Sequence, residues 1–224
     1  MKTKNQHRLS VCLRGLSCLT LLALVLSPTQ SKADTVFTSL SSYNAATNSN
    51  ITITFNGIAP TDGFVAESSP FTLSGRSFSS TSSMFIVDPG FYASPYTGGG
   101  FLTTDFVNPD VLTITLPSVT AVAFDFGALF PGSASVLVSL SDGFTTTIST
   151  NDSLVGGSLA FAGFTSTAPL TSIKLTLPDS PDYNAIDNFT WGKANSPVPE
   201  PASLGLMLTG LLGAAGAIRR RLNR

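Results

Sequence analysis

The chain has 224 residues, with 12 Lys and Arg against 13 Asp and Glu, two cysteines and one histidine. The charges are segregated: residues 1–33 hold five bases and no acid, while residues 34–197 hold three bases against twelve acids, a net −9. Cys12, Cys18 and His7 all fall in the first segment, so the rest of the chain has no disulfide, thiolate nucleophile, His-based triad or His/Cys zinc site. A segment at −9 also repels nucleic acid.

The N-terminus predicts a secretory signal peptide over residues 1–33. A basic start (Lys2, Lys4, Arg8) leads into the apolar run Leu16–Leu26, 11 residues long, which suits a signal core and is too short to span a bilayer. Small residues at Ser31 and Ala33 place the expected cleavage between Ala33 and Asp34. The secretion machinery is the partner this segment implies.

Residues 34–195 form the predicted folded domain. Of the 164 residues in 34–197, 48 are Ser or Thr, and apolar side chains alternate with them, the signature of half-buried strands. Helical spacing occurs only at Leu40, Tyr43 and Ala46, in the stretch Ser39–Thr47. Strands follow in Ile51–Phe55, in Val111–Leu116 (Leu112, Ile114 and Leu116 inward), and around Val122, Phe124 and Phe126. Asp142-Gly143 sits between two alternating runs, which predicts a tight hairpin. Leu159–Phe164, Ile173–Leu177 and Ala185–Trp191 complete the set, the last with Asp187, Phe189 and Trp191 on one face. Short strands punctuated by Pro and Gly predict an all-β, antiparallel sandwich of jelly-roll type.

Chemistry within this domain is sparse. Its acids stand mostly in predicted turns, where Asp initiates the turn and keeps the surface soluble. Asp62 with Glu67, and Asp179, Asp182 and Asp187, are the nearest approach to a carboxylate pair for polysaccharide hydrolysis. No His activates the abundant serines, and Gly98-Gly99-Gly100 lacks the Lys and helix of a phosphate loop, so it reads as a flexible turn. The expectation is a non-catalytic domain without cofactor. Asp179, Asp182 and Asp187 are the one metal candidate, as oxygen ligands of a structural Ca²⁺, and turn chemistry explains them equally well. Tyr92 and Tyr96, on the loop before the triple glycine, together with Tyr183, are candidate glycan-stacking rings; Trp191 is expected to pack inside.

The C-terminal segment, residues 196–224, is built differently. Pro197, Pro199 and Pro201 hold the stretch around Glu200 extended. The uncharged run Ala202–Ile218 and the basic residues Arg219, Arg220, Arg221 and Arg224 follow. Seventeen helical residues reach about 25 Å, a marginal membrane span completed by snorkelling arginines that stay cytoplasmic. The order Pro199-Glu200-Pro201, apolar helix, basic tail resembles the PEP-CTERM sorting signal. That resemblance implies an exported bacterial protein, held in the inner membrane by its C-terminal helix during sorting. An exosortase, a membrane protease/transpeptidase, would process it and pass it to the cell surface or to the extracellular, biofilm-type matrix. Gly163–Ser166 and Ala185–Gly192 are loosely similar to closing strands of sandwich domains in other PEP-CTERM proteins. The expected function is a structural or adhesive surface protein. A carbohydrate-binding module of the exopolysaccharide matrix is the alternative, and a polysaccharide hydrolase the third reading.

Overall fold

The computed structural model describes residues 34–104, 110–177, 184–195 and 201–222. In chain order the elements are β1 (Thr35–Phe37), α1 (Leu40–Ala46), β2 (Thr47–Ile53), β3 (Phe64–Glu67), β4 (Phe71–Leu73), β5 (Arg76–Ser80) and β6 (Met84–Val87). A 3-10 turn at Pro89–Tyr92 precedes β7 (Phe101–Thr104), β8 (Asp110–Ala128), β9 (Ala134–Leu140), β10 (Thr145–Thr150), β11 (Ala160–Leu177), β12 (Asn184–Ala194) and α2 (Pro201–Leu222).

Two strands organise the domain. At 19 and 18 residues, β8 and β11 are too long for a single flat layer. They pair with each other twice, Asp110–Thr115 against Ser172–Leu177 and Val119–Phe126 against Ala160–Leu170, with register shifts between. The corner falls where Pro117 and Pro169 withdraw their N–H groups and where Ser118 takes a left-handed φ of 59°. One hydrogen-bonded network thereby folds into two layers. The first runs β10-β9-β11-β8 and continues through β5 to β4; the second carries β1, β11, β8 and β12, with β2 and then β7, β6 and β3 beyond.

All these pairings are antiparallel. Leu112, Ile114, Val136, Val138, Ile173 and Leu175 of the first layer share one core with Ile53, Val122, Phe124, Phe126, Phe164 and Phe189 of the second. Phe78 crosses between the layers to Phe189, with ring centroids 6.0 Å apart in a T-shaped contact. The domain is an antiparallel β-sandwich.

Alternation located the strands that carry this core and missed the small ones. Strands β3 to β7 have three to five residues each, too few for a period to register. Ile51 is 55% exposed although Ile53 and Phe55, on the same face of the alternating run, are buried. The expected hairpin forms between β9 and β10, where Asp142 Oδ1 accepts from the Phe144 N–H and Gly143 holds φ at 99°.

The expected helix also forms. Ser39 caps α1 by accepting from the Ser42 N–H, and α1 places Tyr43 on the outer face of the second layer over Ala121 and Ala123. At the other end, α2 is a helix closed by Arg219, Arg220 and Arg221 in its last turn. Among the described residues no helix is long and apolar enough to cross a membrane. Met207, Leu211 and Ile218 are exposed on it.

Candidate functional site

The outer face of the second layer holds a buried polar cluster. Along β8, Phe124 and Phe126 point into the core, so Asp125 points outward. Its Cα partner in register on β12 is Asp187. A bulge follows at Asn188, whose φ of 48° and register shift insert one extra residue before Thr190. The bulge turns Phe189 and Trp191 into the core and leaves Asp187 on the opposite face. The expectation that Asp187, Phe189 and Trp191 share a face therefore fails, since strict alternation does not survive an inserted residue.

Asp187 has no solvent exposure. Its Oδ2 accepts from the Tyr96 hydroxyl at 2.7 Å and its Oδ1 from the Asn188 N–H at 2.6 Å. Asn188 Nδ2 in turn donates to Asp125 Oδ2 at 2.8 Å. Burial pushes the Asp187 carboxyl up to about 6; the bonds from Tyr96 and Asn188 pull it down, and the neighbouring Asp125 charge pushes it up again. Asp125 is itself raised, by burial against the opposing Asn188 bond. Burial first, then the bond to Asp187, keeps the Tyr96 phenol neutral. The cluster ties the 89–100 loop to the sheet and stores a proton near pH 6, but a fully buried carboxyl is out of reach of a substrate.

The triple glycine fits this loop tightly. A Cβ on Gly98 would collide with the Tyr96 ring, and one on Gly99 (φ 97°) with the Asn56 side chain. It is a close-packed turn where the sequence reads as a flexible one.

Tyr92 and Tyr96, expected as open stacking rings, are half-buried against Val87, Phe101, Leu129, Leu154 and Ala185. Among the described residues the exposed rings are phenylalanines. Phe64, Phe91 and Phe130 are 48%, 45% and 39% exposed. They form one ridge in T-shaped contacts, Phe64–Phe91 at 5.2 Å, Phe91–Tyr92 at 5.0 Å and Tyr92–Phe130 at 5.6 Å. Asp62 and Asp88 flank it: Asp88 Oδ1 accepts from the N–H groups of Asp62 and Gly90, and the Asp62 carboxylate rests on Gly90, beside Phe91.

Trp191 packs inside as expected, 6% exposed, with the Arg76 guanidinium 5.6 Å from its ring centroid. Tyr183, Asp179, Asp182, Ala33, Pro199, Glu200 and Arg224 lie outside the described residues, while Asp34 precedes β1 and Pro201 opens α2. Among the described residues no group of three or more His, Cys, Asp or Glu could hold a metal ion. Asp125 was the legible signal for the cluster, an acid inside an otherwise apolar strand; Asn188 and the phenylalanine ridge had none.

Comparison with known proteins identifies the C-terminal segment. The family model of the PEP-CTERM protein-sorting motif matches residues 197–221, and a signal of that kind marks an exported surface protein. No curated protein matches the chain. Among solved structures, the K2 cleaved adhesin domain of Lys-gingipain is similar at 12% identity and a TM-score of 0.38, over 64% of this chain and 99% of that one. The CsCBM6-3 module from Clostridium stercorarium, in complex with cellobiose, is similar at 13% identity and a TM-score of 0.35, over 62% and 99%. A point mutant of CBM29-2, a family 29 carbohydrate-binding module, gives 15% identity and a TM-score of 0.35, over 62% and 97%.

Proposed function

We propose that the protein is a non-catalytic structural or adhesive component of the cell surface or extracellular matrix, held in the inner membrane by α2 until an exosortase processes it. The observation that carries this reading is the sorting motif at 197–221, which follows a cysteine-free β-sandwich. The exposed apolar side chains of α2 support a helix that meets lipid, and its arginine triplet supports a cytoplasmic end. Fractionation of the native host tests the reading. Glu200→Ala, or deletion of residues 202–224, should change processing and location while leaving the sandwich folded. Mutants processed and located like wild type would remove it.

A second reading, binding of extracellular polysaccharide, is favoured by the three exposed rings beside two carboxylates. Retention on immobilised polysaccharides tests it.

A further inference from the structure

Phe64 and Phe91 stand outside the three buried core clusters, yet their setting is built. Tyr92 locks the spacing of Phe91 and Phe130, and the 3-10 turn that carries Phe91 is capped by Asp88. Leaving the neighbouring Phe64 and Phe91 rings exposed to water is unfavourable for a soluble surface, and contiguous patches of this kind mark contact sites. The choice of occupant follows from charge. Between residues 60 and 104 the one base is Arg76, and its guanidinium is engaged over Trp191. Ring faces carry negative potential and attract cations, and the Asp62 and Asp88 carboxylates beside them do the same. An anionic polymer meets only repulsion there. A polymer that combines apolar C–H faces with ammonium groups satisfies both features at once.

We propose that this ridge binds a polysaccharide carrying free amino sugars, with pyranose C–H faces on Phe64 and Phe91 and ammonium groups beside Asp62 and Asp88. The inference rests on the polysaccharide-binding reading and narrows it to a ligand class and a surface. It does not require the buried Asp125–Asp187 cluster, nor the half-buried Tyr92 and Tyr96 as stacking rings.

The test is retention of the full-length protein, in detergent, on chitosan, chitin and cellulose at pH 6, where chitosan amines are charged. Binding to chitosan well above chitin and cellulose is expected. Phe64→Ala with Phe91→Ala should weaken it about tenfold, from loss of two ring contacts at an unchanged net charge. Both rings are exposed, so the fold should survive, which circular dichroism checks. Asp62→Asn with Asp88→Asn, which keeps the amide oxygen as a cap, should weaken it similarly. Equal chitosan binding by the alanine pair would show general attraction to an acidic domain and overturn the proposal. Equal binding to chitin or cellulose would overturn the amino-sugar class while leaving polysaccharide binding intact, and no retention on any of the three would remove both. Displacement by polylysine more readily than by soluble glucosamine oligomers would assign the ridge to a basic protein partner instead. The sorting reading stands apart from every one of these outcomes, because processing is measured separately.

Discussion

The Tyr96 hydroxyl reaches across 91 residues of sequence to donate to Asp187 Oδ2 at 2.7 Å, joining the loop before β7 to β12. Because Asp187 is wholly buried, losing this donor leaves a carboxyl oxygen short of a partner in a low-dielectric setting. Tyr96→Phe should cost roughly 1–3 kcal/mol in urea unfolding. It should also raise Asp187 further, since the Tyr96 bond is one of the influences holding it down. An unchanged unfolding midpoint would show that the bond does not persist in solution.

The same carboxyl predicts a pH dependence. Burial lifts folded Asp187 to about 6, whereas an unfolded Asp titrates near 4. Between those values the folded state holds a proton that the unfolded state has released, so stability falls as pH rises from about 4 to 6 and then levels. The ceiling is about 3 kcal/mol, and raised Asp125 acts in the same direction. Melting temperatures should therefore be higher at pH 4.5 than at pH 7.5, and Asp187→Asn should flatten the difference. A wild-type slope of the opposite sign would rule out this account.

Asp110, at the start of β8, behaves in the opposite way. It is 1% exposed and accepts from the hydroxyls of Ser80, Thr81 and Ser82 at 2.8, 2.7 and 2.6 Å. Burial alone would raise it, but the bonds from Ser82, Thr104, Thr81 and Ser80 prevail and hold it below the ordinary carboxylate range. Its contribution is present above the unfolded value and is lost only as pH falls below about 4. Asp110→Ala should destabilise by roughly 3 kcal/mol, because it strands several hydroxyls at once, and Asp110→Asn by less. Equal unfolding midpoints for the two variants, both of which lack the charge, would show that an uncharged acceptor oxygen at this position contributes nothing.

Gly163 shows a packing constraint that no pattern in the sequence announces. It lies on β11 beneath α1, and a Cβ there would stand 2.6 Å from the Tyr43 ring and 2.9 Å from Phe161. Gly163→Ala should cost about 1–3 kcal/mol by overpacking. Part of that cost should vanish when Tyr43→Leu is already present, since the nearer of the two colliding rings is gone. Additive losses in that double-mutant cycle would refute the contact.

How much was legible depended on length and regularity. Leu112, Ile114, Val122, Phe124, Val136, Val138, Ile173 and Leu175 were readable as core because each sits in a run long enough to show period two. The bend of β8 from one layer into the other was not, since Pro117-Ser118 looks like any turn until β11 with its own Pro169 is paired with it. The sorting motif was legible because Pro-Glu-Pro, apolar run and arginine cluster are contiguous. The polar cluster was not, because Tyr96, Asp125 and Asp187 meet only through tertiary pairing, and short-range aromatic content suggested Tyr92 and Tyr96 where the exposed rings among the described residues are Phe64, Phe91 and Phe130.

Asn188 decides which side of the sheet the acid and the aromatics occupy. Its left-handed φ of 48° accommodates the extra residue between Asp187 and Thr190, and its side chain then bonds Asp125 Oδ2 at 2.8 Å while its carbonyl accepts from the Thr190 hydroxyl at 3.0 Å. Asn tolerates that conformation because its short amide hydrogen-bonds locally; a β-branched residue does not. Asn188→Gly should keep the bulge and lose only the bond to Asp125, for a cost of about 1 kcal/mol. Asn188→Val strains the backbone and removes the same bond, so roughly 2–4 kcal/mol is expected, with weaker near-ultraviolet dichroism as Trp191 loses its fixed setting. Hydrogen exchange of the Thr190 and Trp191 amides reads the bulge directly, slow in Asn188→Gly and fast in Asn188→Val. If the valine variant exchanges as slowly as wild type, the pairing does not depend on the left-handed residue, and the placement of Asp187 opposite Phe189 and Trp191 needs another cause.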